Sequence, residues 1–390
     1  SPEKSMDRHI VVIGSGPGGF AAALEAVRPG VRVTVVERAE VGGTCLNRGC
    51  IPSKTWRAAA ETVERLASAQ EFGIDAGGEI RFDPMRLLEK KRAVVETLRE
   101  GIHIRLKHAG VRFLNGIAAA NGPRSIVVCR ADGATEELQP DSLILAWGSE
   151  AVECPGLPFM KGKVLSTSDA LELHERPGAV LIVGGGANGC EFASILSTFG
   201  VNVTLVEAAP RLLPSDRIDA DVSALLMREM KKRGINVHVN HAVDGAEPLE
   251  NGVRVRFRRA FSDDIVVAEA DMVIVAAGRR PVGEAGEWMR FGLECDDAGW
   301  IRVNSRLETG IEGVYAVGDA LGPSRPMLAH VATMEGTAAA ANALGGNVPP
   351  DYGAVPYAVY SIPEAAGVGL SEAEARKIHP VVRSQTVHLR

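Results

Sequence analysis

Apolar residues along this chain gather in short unbroken runs, each followed by a glycine-rich turn and then by a stretch with helical spacing. Runs of this length without polar alternation predict parallel strands buried on both faces, and the alternation with helical segments predicts a doubly wound α/β sheet. The first run is His9 to Ile13, followed by Gly14-Ser15-Gly16-Pro17-Gly18-Gly19, the helix-like FAAALEAV, and a second strand, VRVTVVE, that ends at Glu37. The order returns from Ala179: AVLIV, then Gly184-Gly185-Gly186-Ala187-Asn188-Gly189, then CEFASILSTFG, then VNVTLVE ending at Glu207. Gly14 to Glu37 and Gly184 to Glu207 are both separated by 23 positions. A third element also repeats, DSLILAWG over Asp141 to Gly148 and DMVIVAAG over Asp271 to Gly278.

One glycine-rich turn is a weak signal, but two in full strand, turn, helix, strand and acid order point to two dinucleotide sites. Gly14 and Gly184 allow the tight turn, Gly16 and Gly186 let a pyrophosphate approach the helix N-terminus, and Gly19 and Gly189 permit close helix–strand packing. Glu37 and Glu207 are placed to accept hydrogen bonds from ribose hydroxyls. The expected fold is α/β, with two doubly wound, Rossmann-like domains, the second inserted in the first, followed by the start of an α+β domain. The expected boundaries are residues 1–150 and 281–348 for the first domain, 151–280 for the second and 349–390 for the third. Between Thr55 and Gly110 the chain reads as helix, with Asp83 and Pro84 as cap and first turn and its charges on solvated faces.

Composition narrows the partners. The 390 residues are 46% hydrophobic and 24% charged with 43 glycines, which fits a globular α/β protein. A net charge of -6 and the scatter of basic residues argue against nucleic acid or an anionic membrane as a main partner. No apolar run reaches the roughly 18 to 20 residues that span a bilayer, and the N-terminus enters a strand without a signal-peptide core. The chain is therefore expected to be soluble and cytoplasmic, with residues 1–5 an addition ahead of Met6.

Two of the six cysteines, Cys45 and Cys50, fall in one short stretch, GGTCLNRGCIPSK. A disulfide closing so short a loop adds little stability and is unusual in a reducing compartment. CxxxxC without a second Cys or His pair is a poor zinc signal, and no metal site is expected. A redox role remains, with the helix starting at Ile51 to Lys54 able to stabilise a thiolate on Cys50. Cys129, Cys154, Cys190 and Cys295 read as isolated thiols. Two dinucleotide sites suggest two nucleotides that exchange electrons, commonly FAD and a nicotinamide nucleotide. Glu207 favours NAD over its 2'-phosphorylated form, since a carboxylate repels phosphate and Ala208, Ala209 and Pro210 offer no cation; Arg211 is the nearby exception.

GGTCLNRGCIPSK, the two fingerprints, AAGRRPV, GVYAVGDA, MLAHVATMEG and VPYAVYSIPEAAGVGLSEAEA, taken in order, resemble the class I flavin disulfide oxidoreductases, and most closely those that oxidise dihydrolipoamide. The resemblance implies FAD at the first fingerprint and NAD at the second, with Gly278 in the NAD set. It implies that Cys45 is the interchange thiol, that Cys50 is the flavin-proximal thiol of a redox-active disulfide, and that Lys54 lies near flavin N5 with Glu191 as its ion-pair partner. Asp319 is similar to the aspartate that holds the ribityl and phosphate region, and Met327, Leu328, Ala329 and His330 to the segment lining the flavin. The implied partner is a lipoyl-bearing protein or a small disulfide or dithiol, and the implied assembly a homodimer. The alternatives are another disulfide or metal reductase of the family, or a diaphorase or redox sensor.

The sequence departs from the family pattern at several places. Residues 349–390 are only the beginning of an interface domain that would run to roughly a hundred residues, so the sequence is expected to be incomplete. The family's histidine base, oriented by a glutamate, is not assigned, because His379-Pro380 lies too early and lacks the following glutamate. Arg48 stands between the cysteines in place of an aliphatic residue, either as an exposed charge or as a cation near the sulfurs. Trp147 replaces a small polar residue. Ala187 and Asn188 replace bulkier residues, which implies looser access for nicotinamide.

Overall fold

The computed structural model describes residues 8–75, 77–78, 80–262, 264–283 and 285–387, so the expectation for residues 1–5 and Met6 lies outside the described residues. Contacts divide the chain into two compact units. One takes in residues up to Pro52, Arg92–Glu150 and Arg279–Asp351; the other takes in Ser53–Lys91, Ala151–Gly278 and Tyr352 onward.

In the first unit the apolar runs form a five-stranded parallel sheet, in the spatial order Val314–Ala316, Ser142–Leu145, Arg8–Ile13, Val31–Glu37 and Arg112–Asn115. Ile10 stands opposite Val33 on one side and Ser142 on the other. Ile10, Val11, Val12, Val35, Leu143, Ile144 and Leu145 are completely buried, which is why these strands carry no alternation. Each contributes on the order of 1.5–3 kcal/mol of transfer free energy. Helices Pro17–Ala26 and Ala329–Ala343 pack together here, and a Cβ on Gly336 would lie 2.1 Å from the Gly18 carbonyl oxygen. That backbone contact exists only because both positions lack a side chain.

The second unit repeats the plan with the order Asn236–Val239, Asn202–Glu207, Ala179–Val183, Met272–Val275 and Val164–Ser166. Val253, Val255 and Phe257, from an antiparallel three-stranded sheet, join one core cluster with Leu181, Val183, Val206, Val273 and Val275. Helix Ala187–Thr198 contributes Cys190, Ala193 and Leu196 to a second cluster, together with Trp56, Ala60 and Leu87. Hairpin Pro356–Val359 and Ala365–Val368 is followed by helix Glu372–Ile378, started by a capping box of Ser371 and Glu374.

The helical stretch after the cysteines divides into Cys50–Ala67 and Pro84–His108, and Asp83 accepts the Arg86 amide at 3.2 Å as the expected cap. The expectation that its charges all lie on solvated faces is corrected at two positions. Lys91 is 2% exposed and donates to the Leu171 carbonyl at 3.1 Å and to Glu172. Arg57 is 8% exposed and is held by the Tyr360 carbonyl and Glu61. Both heads are paired, which makes burial of the charge tolerable.

Candidate functional site: two nucleotide turns and a cysteine segment

At the first fingerprint each glycine answers a measurable constraint. Gly14 has φ +97°, and a Cβ there would lie 2.3 Å from the Ala146 oxygen; one on Gly19 would lie 1.9 Å from the Gly14 oxygen. Gly16 caps helix Pro17–Ala26 without any side-chain hydrogen bond, so the helix presents bare amides and its positive end to a ligand. Glu37, 7% exposed, closes the site from the end of its strand. Its Oε2 accepts from the Ser15 amide at 2.8 Å and the Ser15 hydroxyl at 2.6 Å, and its Oε1 from the Ala39 amide at 3.0 Å. These bonds fix the carboxylate and leave further lone pairs for a ribose. Ser15 was not expected to take part; its position in the fingerprint admits any small residue, so the pattern carries no signal for it.

The segment leading to the cysteines folds onto this turn. The Gly42 amide donates to the Ser15 carbonyl at 3.2 Å, and a Cβ on Gly43 would lie 2.7 Å from Gly16 Cα. Helix Gly43–Arg48 carries Cys45, and helix Cys50–Ala67 begins at Cys50 itself, one residue earlier than expected. Cys45 is half-buried and Cys50 exposed. A sulfur in the first turn of an 18-residue helix sits where the macrodipole favours its thiolate. Asn47, 6% exposed, braces the segment by donating to the Val41 and Gly43 carbonyls at 2.9 and 2.8 Å. Arg48 is an exposed residue at the end of its short helix.

Asp319 lies in the turn Gly318–Leu321, where its Oδ2 accepts from the Ser149 hydroxyl at 2.8 Å and faces Arg279 Nε at 3.4 Å. Arg279 also donates to the Ser149 carbonyl at 2.6 Å, so a cation and a hydroxyl orient this carboxylate. Met327 and Leu328 lead into helix Ala329–Ala343, whose N-cap, Leu328, makes no side-chain hydrogen bond. Met327, Leu328 and Ala329 are half-buried and His330 is exposed. Trp147 packs with its ring 6.3 Å from that of Trp288, which is completely buried. Two uncapped helix ends, a glycine cradle that any Cβ would fill and a fixed acid make a donor set that fits a dinucleotide such as FAD.

The second fingerprint repeats the geometry within its own unit. A Cβ on Gly184 (φ +107°) would lie 2.4 Å from the Ala276 oxygen, and one on Gly189 1.8 Å from the Gly184 oxygen. Glu207, 8% exposed, accepts the Gly185 amide at 2.5 Å and the Ala209 amide at 2.6 Å. Gly186 caps helix Ala187–Thr198 without a side-chain bond, and a Cβ there would meet nothing within 4 Å. Ala187 and Asn188 are exposed in the first turn. Gly278 has φ +135° but an open Cβ position, so its conformation rather than its space calls for glycine. The bare helix end and the ribose acid fit NAD. Cys190 beneath this turn gives its Sγ to the Gly185 carbonyl at 3.3 Å, and burial, then Glu207 and Glu191, push its thiol far up, out of reactive range.

Lys54 and Glu191, 137 positions apart, form an ion pair, Nζ to Oε2 2.8 Å. Glu191 Oε1 accepts the Tyr360 amide at 3.0 Å, and the Lys54 ammonium lies 4.2 Å from the Tyr360 ring centroid. Tyr360 was not expected from the sequence, because only the fold brings the hairpin to this pair.

Comparison with known proteins agrees with this geometry. The pyridine nucleotide-disulphide oxidoreductase family matches residues 8–336. A dihydrolipoyl dehydrogenase of Thermus scotoductus is 42% identical over 372 residues, which cover 94% of this chain and 77% of that protein. Among solved structures, LpdA from Mycobacterium tuberculosis superposes with a TM-score of 0.86 at 26% identity, covering 95% of this chain and 80% of that one. The copper(II) complex of RclA, an HOCl-induced flavoprotein disulfide reductase of Escherichia coli, gives 0.80 at 27% identity over 95% and 79% of the two chains. With both nucleotide turns and the cysteine segment in place, the chain belongs to the pyridine nucleotide-disulphide oxidoreductase family, whose members use FAD and a nicotinamide nucleotide, here NAD.

Proposed function

We propose that this chain works as an NAD-dependent dihydrolipoyl dehydrogenase, a cytoplasmic homodimer that oxidises the dithiol of a lipoyl-bearing protein at Cys45 and Cys50. The observation that carries the reading is the placement of Cys50 at the start of an 18-residue helix, on a segment hydrogen-bonded to the first nucleotide turn. In the proposed division of the chain, residues up to 150 with 281–348 hold FAD, 151–280 hold NAD, and 349–390 begin the interface domain. Glu37 and Asp319 are assigned to FAD with Gly14, Gly16, Gly19 and Met327 to His330. Glu207 is assigned to NAD with Gly184, Gly186, Gly189 and Gly278.

The chemistry begins with attack by one substrate thiolate on the Cys45 sulfur of the oxidised pair. The S–S bond breaks, Cys50 leaves as a thiolate, and its departure is favoured by the helix N-terminus. The second substrate thiol then displaces Cys45, so the substrate leaves as a disulfide and both cysteines are reduced. FAD, held by Gly14, Gly16, Gly19, Glu37 and Asp319, would supply the two-electron acceptor between the reduced cysteine pair and NAD+, so that the overall reaction gives the substrate disulfide, NADH and one proton. Lys54, four residues after Cys50 on the same helix and held by Glu191, sets the charge on the flavin side.

The test is lipoamide-dependent NADH turnover together with the absorbance of the NADH-reduced protein. Dihydrolipoyl dehydrogenase chemistry predicts turnover with lipoamide above that with glutathione disulfide or mercuric ion. It also predicts a band to the red of flavin absorption that Cys50→Ser abolishes without loss of flavin. A band that survives in Cys50→Ser removes the assignment of Cys50.

A further inference from the structure

We propose that Tyr360 is a positioning residue for the charge at Lys54: its ring, carried on a backbone tied down at both amide and carbonyl, holds the ammonium on a set line. The proposal rests on the reading of Lys54 as the charge on the flavin side. A lysine is a compact charge on a flexible four-carbon stem, and a single carboxylate partner leaves its head free to swing. A second, rigid contact removes that freedom.

The ring stands on anchored backbone. The Tyr360 amide donates to Glu191 Oε1 at 3.0 Å, and its carbonyl accepts from Arg57 Nε at 2.9 Å. Arg57 is in turn held by Glu61 at 2.9 Å, with Glu364 at 3.6 Å from its other arm. The neighbouring residues turn inward. Val359 and Ile362 are buried in the cluster that contains Trp56 and Phe192, and Ser361 is completely buried and donates its hydroxyl to the Pro363 carbonyl at 2.8 Å. Of residues 359–362 only Tyr360 is exposed, at 39%. Its neighbours supply the packing, so the ring is not there to fill the core.

What the ring meets is a cation. Lys54 Nζ lies 4.2 Å from the ring centroid, 2.8 Å from Glu191 Oε2 and 3.4 Å from the Ser53 hydroxyl. The buried Glu191 divides its oxygens, one to the ammonium and one to the Tyr360 amide, so a single carboxylate sets the ring and the charge against each other. A carboxylate on one side and a π face on another leave the ammonium few directions. A cation fixed in place favours the form of a nearby redox group that carries more electrons, and one that swings away favours it less.

Anaerobic reduction of the FAD-loaded protein against a redox dye of known potential, followed once the cysteine pair is reduced, reads the flavin equilibrium without turnover. Tyr360→Leu and Tyr360→Met, which remove the π face and leave both backbone bonds, are each expected to shift that equilibrium about threefold toward oxidised flavin. Tyr360→Phe, which keeps the ring, is expected to stay within about 1.5-fold of the wild type. In a Lys54→Met background the loss of the ring is expected to add nothing. No shift on losing the ring, or the same shift with and without Lys54, overturns the proposal. So does a Tyr360→Phe that matches Tyr360→Leu, which would assign the effect to the hydroxyl. Should Lys54→Met itself leave the equilibrium unmoved, the flavin-side reading of Lys54 fails first and the proposal falls with it.

Discussion

The two nucleotide turns are built alike and covered differently. Gly14 and Gly184 abut a carbonyl at 2.3 and 2.4 Å from where a Cβ would stand, Gly19 and Gly189 do so at 1.9 and 1.8 Å, and both acids take backbone amides with both oxygens. The difference lies at the phosphate position. Gly16 is met by the backbone of Gly43, whereas Gly186 opens onto empty space. The same backbone solution is thus met in one unit by the segment that brings the cysteines and left open in the other, as a retained and an exchanging nucleotide would each require.

The sharpest way to break the comparison is to fill the turns. Gly19→Ala and Gly189→Ala each push a methyl against a backbone carbonyl that cannot move without the strand, and each is expected to cost more than about 4 kcal/mol. Far-ultraviolet circular dichroism and flavin content are expected to show loss of native fold in both. Retention of a wild-type melting curve in either would show that the turn is looser than its geometry implies.

Next in size is a pH effect at His9 in the first unit. His9, five positions before Gly14, is 5% exposed with Nε2 2.9 Å from the Thr34 hydroxyl, and its counterpart five before Gly184 is Ala179. Burial, then the Arg32 charge, lowers the His9 pKa from 6.5 to about 4. The unfolded chain therefore binds the proton first as pH falls, so the stability is present above pH 6.5 and is lost between 6.5 and 4. The loss amounts to about 3 kcal/mol. Thermal melts of His9→Gln against wild type are expected to differ in slope over that window, and parallel pH profiles would contradict the assignment.

Smaller again is Glu191→Ala, which strips Lys54 and the Tyr360 amide of their shared partner. With Lys54 partly open to water, about 1–2 kcal/mol is expected by urea denaturation. The smallest effect is Gly186→Ala. Its Cβ meets nothing, so stability is expected to hold within about 1 kcal/mol while calorimetric affinity for NAD falls, because the methyl occupies the phosphate approach.

What was legible in the sequence is what local chemistry dictates. Glycines forced by a turn and the apolar runs of doubly buried strands leave patterns that need no partner to be read. The Asp83 cap likewise acts within a few residues. Ser15, Tyr360, Ser149 and Arg279 left no such mark, since each acquires its part through a residue far along the chain. The burial of Lys91 and Arg57 escaped for the same reason: helical periodicity marks a polar face but not the carbonyls and carboxylates waiting there.

The central claim is that one turn retains its nucleotide and the other exchanges it. Protein loaded with both FAD and NAD, dialysed to equilibrium and analysed for each, is expected to keep stoichiometric FAD and to lose NAD. Retention of NAD, or parallel loss of both nucleotides, would contradict the account.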